Sequence, residues 1–119
     1  MGLIYYGYPK CSTCRKAKAW LAANDLNFQE VNIVEAPPSV EELSKMIAAS
    51  GLELKKFFNV SGTKYREQNL KNKLPEMSDE EKISLLASDG MLIKRPLVFG
   101  EGKVTLGFKE EDFENVWTK

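Results

Sequence analysis

The chain has 119 residues, 43% hydrophobic and 29% charged, which describes one globular domain with a core of its own and excludes a disordered segment. Its 17 basic and 17 acidic residues cancel and are spread along the chain, so nothing argues for direct binding of nucleic acid or of an anionic membrane. No apolar run is long enough to span a bilayer and the N-terminus does not pattern as a signal peptide, so the expected location is the cytoplasm, without membrane contact.

Leu3 to Tyr8, "LIYYGY", is short, aromatic and closed by Pro9, and predicts a first strand. Ser12 to Ala23 predicts a helix with Cys14, Ala17 and Leu21 on one face, ended by Asn24-Asp25. Asn27 to Val34 predicts a second strand. Ser39-Val40-Glu41-Glu42 is a capping box, in which serine and glutamate each satisfy a free backbone N–H, and it opens a helix burying Leu43, Met46 and Ile47 that stops at Gly51. Leu54 to Leu74 reads as short helical pieces with a break at Ser61-Gly62. A second capping box, Ser78-Asp79-Glu80-Glu81, starts a helix burying Ile83 and Leu86 and ending at Asp89-Gly90. Arg95 to Phe99 and Lys103 to Leu106 flank Gly100-Glu101-Gly102 and predict a hairpin, with Pro96 at the start of its first strand. A final helix carries Phe113, Val116 and Trp117 on one side. The order is β-α-β, a helical middle, then β-β-α: an α/β domain over residues 1–119 with a mixed sheet.

The only two cysteines, Cys11 and Cys14, stand three positions apart between the first strand and the first helix. The chain has no histidine, which removes Cys-His and Ser-His catalysis and every Cys/His zinc site. If Ser12 begins the helix, Cys11 sits at its N-terminal edge, where free N–H groups and the helix dipole favour an anion. With Lys10 and Arg15 beside it, such a setting lowers a thiol from about 8.5 toward about 3.5–7.5. Cys14 lies one turn further in, on the apolar face. Cys11 is therefore expected to attack and Cys14 to resolve, at a Cα spacing within the bridging range of about 4.4–6.8 Å. A metal site shared between two chains and a pair of inert core thiols remain open alternatives; the position beside a β-α-β pattern favours a redox pair.

"YGYPKCSTCRKAKAWL", "GTKYREQNL", "LLASDGMLIKRPLV" and "VTLGFKEEDFENVW" together resemble the arsenate reductase-related family, which includes arsenate reductases and the Spx regulators, over essentially the whole chain. The resemblance implies a thioredoxin-like fold with a helical insertion. It places Cys11 as the nucleophile, Cys14 as the second cysteine of the Spx-like C-x-x-C form, Arg95 as an oxyanion-binding arginine and Pro96 as the cis proline facing the cysteine. Arg66 matches a further family arginine more loosely, and Lys10 joins Arg95 in stabilising a thiolate or anionic substrate group. Two positions depart from the arsenate reductases: Gly7 stands where they carry a histidine, and Phe108 where they carry an arginine.

The expected function is thus a thiol–disulfide oxidoreductase using Cys11 and Cys14, without a resident cofactor or metal. Glutathione is a co-substrate that the resemblance allows, and glutathione or glutaredoxin a partner. The rivals are an Spx-like redox-sensing regulator binding the C-terminal domain of the RNA polymerase α subunit, and a glutathione- and glutaredoxin-dependent arsenate reductase.

Overall fold

In the computed structural model, which describes residues 2–118, four strands form one sheet in the order β2-β1-β3-β4. β1 (Leu3–Gly7) pairs parallel with β2 (Phe28–Asn32), and antiparallel with β3 (Leu97–Gly100), which continues through a Glu101-Gly102 turn into β4 (Lys103–Leu106). The parallel pair needs a crossover, supplied by α1 (Ser12–Ala23). Between the two halves come α2 (Val40–Ser50), α3 (Thr63–Glu67), α4 (Leu70–Lys73) and α5 (Asp79–Ser88), with a single 3₁₀ turn after each of α2, α4 and α5; α6 (Glu110–Trp117) follows β4. The fold is the thioredoxin-like mixed sheet with a helical insertion.

Alternation along β1 and β3 divides the core into two layers. Leu3, Tyr5 and Val98 face Cys14, Ala17 and Leu21 of α1 and Phe113 and Trp117 of α6. Tyr6 and Leu97 face the insertion, packing with Leu43, Met46, Phe57, Phe58 and Leu86. Buried Thr105 accepts a hydrogen bond from the Trp117 indole at 3.1 Å, pinning α6 to the edge strand.

Both capping boxes form, Ser39 with Glu42 and Ser78 with Glu81. β2 is shorter than its apolar pattern suggests. The Asn32 side chain accepts from the N–H groups of Val34 and Glu35, which turns the chain out of the ladder after Asn32. α5 buries Leu86 fully but leaves Ile83 half-buried. Pro96 lies one residue before β3, after a cis Arg95–Pro96 bond, as the resemblance implied.

Gly90 holds the insertion against the sheet. A Cβ there would lie 1.9 Å from the Ile33 carbonyl oxygen, and the obstacle is backbone that cannot rotate aside. Gly90→Ala is expected to lower the unfolding free energy by about 1–3 kcal/mol. Urea denaturation checks this, and an unchanged midpoint would show that the two segments separate freely.

Candidate active site

Cys11 is the N-cap of α1, with extended backbone angles. Its sulfur does what a serine or aspartate oxygen does at other caps: it accepts the Cys14 N–H, at 3.2 Å. Its own N–H donates to the Tyr8 carbonyl at 3.0 Å, closing the turn after β1. Cys11 is half-buried and lines a cleft, whereas Cys14 is 1% exposed and packed under α1. Both thiols are free. Burial pushes the Cys14 thiol up, its hydrogen-bonded neighbour Cys11 adds to this, and the Tyr8 backbone and the Arg95 charge oppose it. The two sulfurs share one helical turn in different surroundings, Cys11 opening on the cleft and Cys14 buried, where its thiol is held protonated.

The cleft measures about 380 Å³ and is assembled from four separate segments. Cys11 and Thr13 come from the start of α1, and Arg95 with Lys94 from the segment before β3. Asn59 and Ser61 face them from the insertion. Two backbone bonds of 2.8 Å, Asn59 N–H to the Leu92 carbonyl and Lys94 N–H to the Phe57 carbonyl, clamp these two segments together. The fourth wall follows β4. Gly107, at φ +72°, donates its N–H to the Pro96 carbonyl at 2.9 Å and turns Phe108 and Lys109 to the opening. A side chain at 107 would be strained in that left-handed conformation.

Every charged residue lining the cleft is a cation: Lys94, Arg95 and Lys109. The Arg95 guanidinium stacks over the Tyr8 ring, 5.7 Å from its centroid, and donates to the Met91 carbonyl at 3.4 Å. Its Nε is buried without a partner, and among the described residues no carboxylate pairs with it. Phe108 is half-buried, its ring edge-on to Phe113 at 4.8 Å, and Phe113 is edge-on to Trp20 at 5.3 Å. The result is a thiol flanked on one side by unneutralised positive charge and on the other by an aromatic wall.

Of the residues singled out by sequence, Cys11 and Arg95 line the cleft, and Cys14 and Pro96 lie buried behind it. Lys10, next to Cys11 in sequence, is exposed and outside the cleft lining; Arg66 is exposed on α3 and also outside it. Lys94, Lys109 and Asn59 were not identified from sequence. Lys94 was within reach as the neighbour of Arg95 in "KRP", whereas the other two carry no local signal. No helix among the described residues is long and apolar enough to cross a membrane.

A model of the ArsC family matches residues 6–116. The uncharacterized protein YusI of Bacillus subtilis is 60% identical over 98% of this chain and 99% of its own length. The crystal structure of a possible arsenate reductase from Streptococcus mutans superposes with a TM-score of 0.86 at 49% identity, covering 94% of this chain and 97% of that one. The global transcriptional regulator Spx of the same organism is 32% identical over 87% of this chain but only 74% of its own length.

Proposed function

Because the chain belongs to the ArsC family, we propose that it is a cytoplasmic thiol–disulfide oxidoreductase. One observation carries this reading: Cys11 opens on a cationic cleft and accepts the N–H of a Cys14 whose own thiol is buried one turn behind it.

The Cys11 thiolate attacks one sulfur of a disulfide RS–SR′. A Cys11–SR bond forms, the S–S bond breaks, and R′S⁻ leaves with the electron pair. Cys14 then loses its proton to solvent and attacks the Cys11 sulfur, forming the Cys11–Cys14 disulfide and releasing RS⁻. The substrate gains two electrons and the cysteine pair loses two. An external thiol, of the glutathione or glutaredoxin class, returns the pair to its reduced form. The N–H of Cys14 stabilises the thiolate before attack, and Arg95 with the cleft lysines draws an anionic substrate such as a glutathione disulfide.

Assay of disulfide reduction with glutathione disulfide, and with the protein recycled by an external dithiol, tests the proposal. Steady turnover dependent on Cys11 is expected. A regulatory reading competes, since the Spx relative aligns over most of this chain. Its mark is redox-dependent capture by the C-terminal domain of the RNA polymerase α subunit together with negligible disulfide turnover, and that combination would replace the enzymatic reading. Spx extends well beyond the aligned part, whereas the possible arsenate reductase is matched nearly end to end, which favours the enzyme. Arsenate reduction itself is disfavoured by Phe108, an apolar ring at a cleft wall where arsenate reductases carry an arginine.

A further inference from the structure

The exchange chemistry leaves one buried polar group beside the cysteines unused. Tyr5, on the central strand β1, is 2% exposed, and its hydroxyl donates to the Cys14 carbonyl at 2.7 Å. The ring is surrounded by Leu3, Ala17, Leu21 and Val98, a setting that a phenylalanine fills equally well. Its reach depends on Gly7, two residues on and on the same face of the strand. A Cβ at Gly7 would lie 2.4 Å from the Tyr5 oxygen and 2.5 Å from its ring. Burial first, then the neighbouring Cys14, Glu30 and Cys11, pushes the phenol above the ordinary tyrosine range, so it remains a donor.

We propose that Tyr5 is a positioning residue that sets the thiolate stability and reduction potential of the Cys11–Cys14 pair, a role that rests on the redox reading above. Residue 14 is held at both ends: Tyr5 takes its carbonyl, and its N–H points at the Cys11 sulfur at 3.2 Å. Fixing the first bond keeps the second aimed. An N–H bond is stronger to a thiolate than to a disulfide sulfur, because charge-assisted bonds are roughly twice as strong as neutral ones. The clamp therefore favours the reduced pair, and a pair whose reduced form is stabilised is the more oxidising one. Removing the hydroxyl moves the equilibrium toward the disulfide.

The test is Tyr5→Phe, which keeps the ring and removes the donor. The Cys11–Cys14 equilibrium is measured in glutathione redox buffers, and Cys11 alkylation by iodoacetamide at neutral pH. The expected result is a disulfide-forming equilibrium constant about three- to tenfold higher and alkylation slower by a similar factor, the range of one hydrogen bond. Gly7→Ala, which evicts the phenol, shifts both in the same direction. Tyr6→Phe is the control, since that hydroxyl faces the other layer and meets Glu42 at 3.5 Å; it leaves both unchanged. The proposal is overturned if Tyr5→Phe melts earlier but keeps the wild-type equilibrium and alkylation rate, or if Tyr6→Phe shifts them equally. Should the wild-type protein form no intramolecular disulfide, the oxidoreductase reading fails by itself, and the alkylation rates still decide the role of Tyr5.

Discussion

Counting the thiols released from an excess of a chromogenic aromatic disulfide should give two per wild-type protein, one for Cys14→Ser and none for Cys11→Ser. The numbers follow from the positions of the sulfurs. Cys11 alone opens on the cleft, so it alone starts the exchange; the first thiolate leaves when it attacks and the second when Cys14 closes on it. Without Cys14 the protein stops as a mixed disulfide, visible as an adduct by mass spectrometry, until an outside thiol frees it. Without Cys11 the remaining thiol is buried and held protonated, and a serine hydroxyl at the cap is not a competent nucleophile. Steady-state kcat/KM for Cys11→Ser is expected to fall at least about 10³-fold, the scale of losing a nucleophile. A single thiol released by the wild-type protein, or two released with both cysteines left carrying the aromatic adduct, would mean that the pair does not resolve internally, and the roles assigned to the sulfurs would be wrong.

Local signals were enough for the elements that hold these sulfurs. α1 runs over Ser12–Ala23 because good helix formers follow a cap and end at Asn24-Asp25, and Asp25 adopts the left-handed conformation that stops it. Serine–glutamate boxes and the Gly100–Gly102 turn are read from three or four residues, and each forms. The cleft is different, because four segments distant in sequence meet there. Asn59 and Lys109 become its walls only through the 57–59 to 92–94 pairing and the Gly107 turn, neither of which leaves a periodic trace. The cis bond before Pro96 is equally silent in the residues themselves and came only from the resemblance. Tyr5 is an intermediate case. Its spacing from Gly7 is visible in "LIYYGY", yet which tyrosine faces α1 depends on the sheet register, which "YY" leaves ambiguous.

The departures at Gly7 and Phe108 share one physical consequence. In each, where the resemblance implies a polar side chain in the arsenate reductases, this chain has an element of local packing: Gly7 makes room for the Tyr5 phenol, and Phe108 packs edge-on against Phe113, which in turn meets Trp20. Charge in the cleft then falls to Arg95 and the flanking lysines, while the opposite wall becomes aromatic. An organic disulfide with an anionic end has both a charge partner and an apolar surface in such a cleft. Arsenate has only the first.

Arg95 is the member of that cationic set with the strongest case for reading substrate charge. Its guanidinium is held in place by the Tyr8 ring and the Met91 carbonyl, and its buried Nε has no partner. The lysines at 94 and 109 are exposed on flexible stems, where solvent and salt screen them. Arg95→Gln is therefore expected to lower the ratio of kcat/KM for glutathione disulfide over cationic cystamine by about 10- to 100-fold, the value of one charge-assisted contact of about 1.5–3 kcal/mol. Using the ratio cancels any effect of Arg95 on the thiols themselves, since both substrates meet the same Cys11. Lys94→Gln and Lys109→Gln should each change it by only a few-fold, and added salt should erase most of their effect while leaving the larger part of the Arg95 effect. Equal losses in all three variants would assign substrate selection to the diffuse field of the cleft; no loss in Arg95→Gln would remove the arginine from recognition altogether.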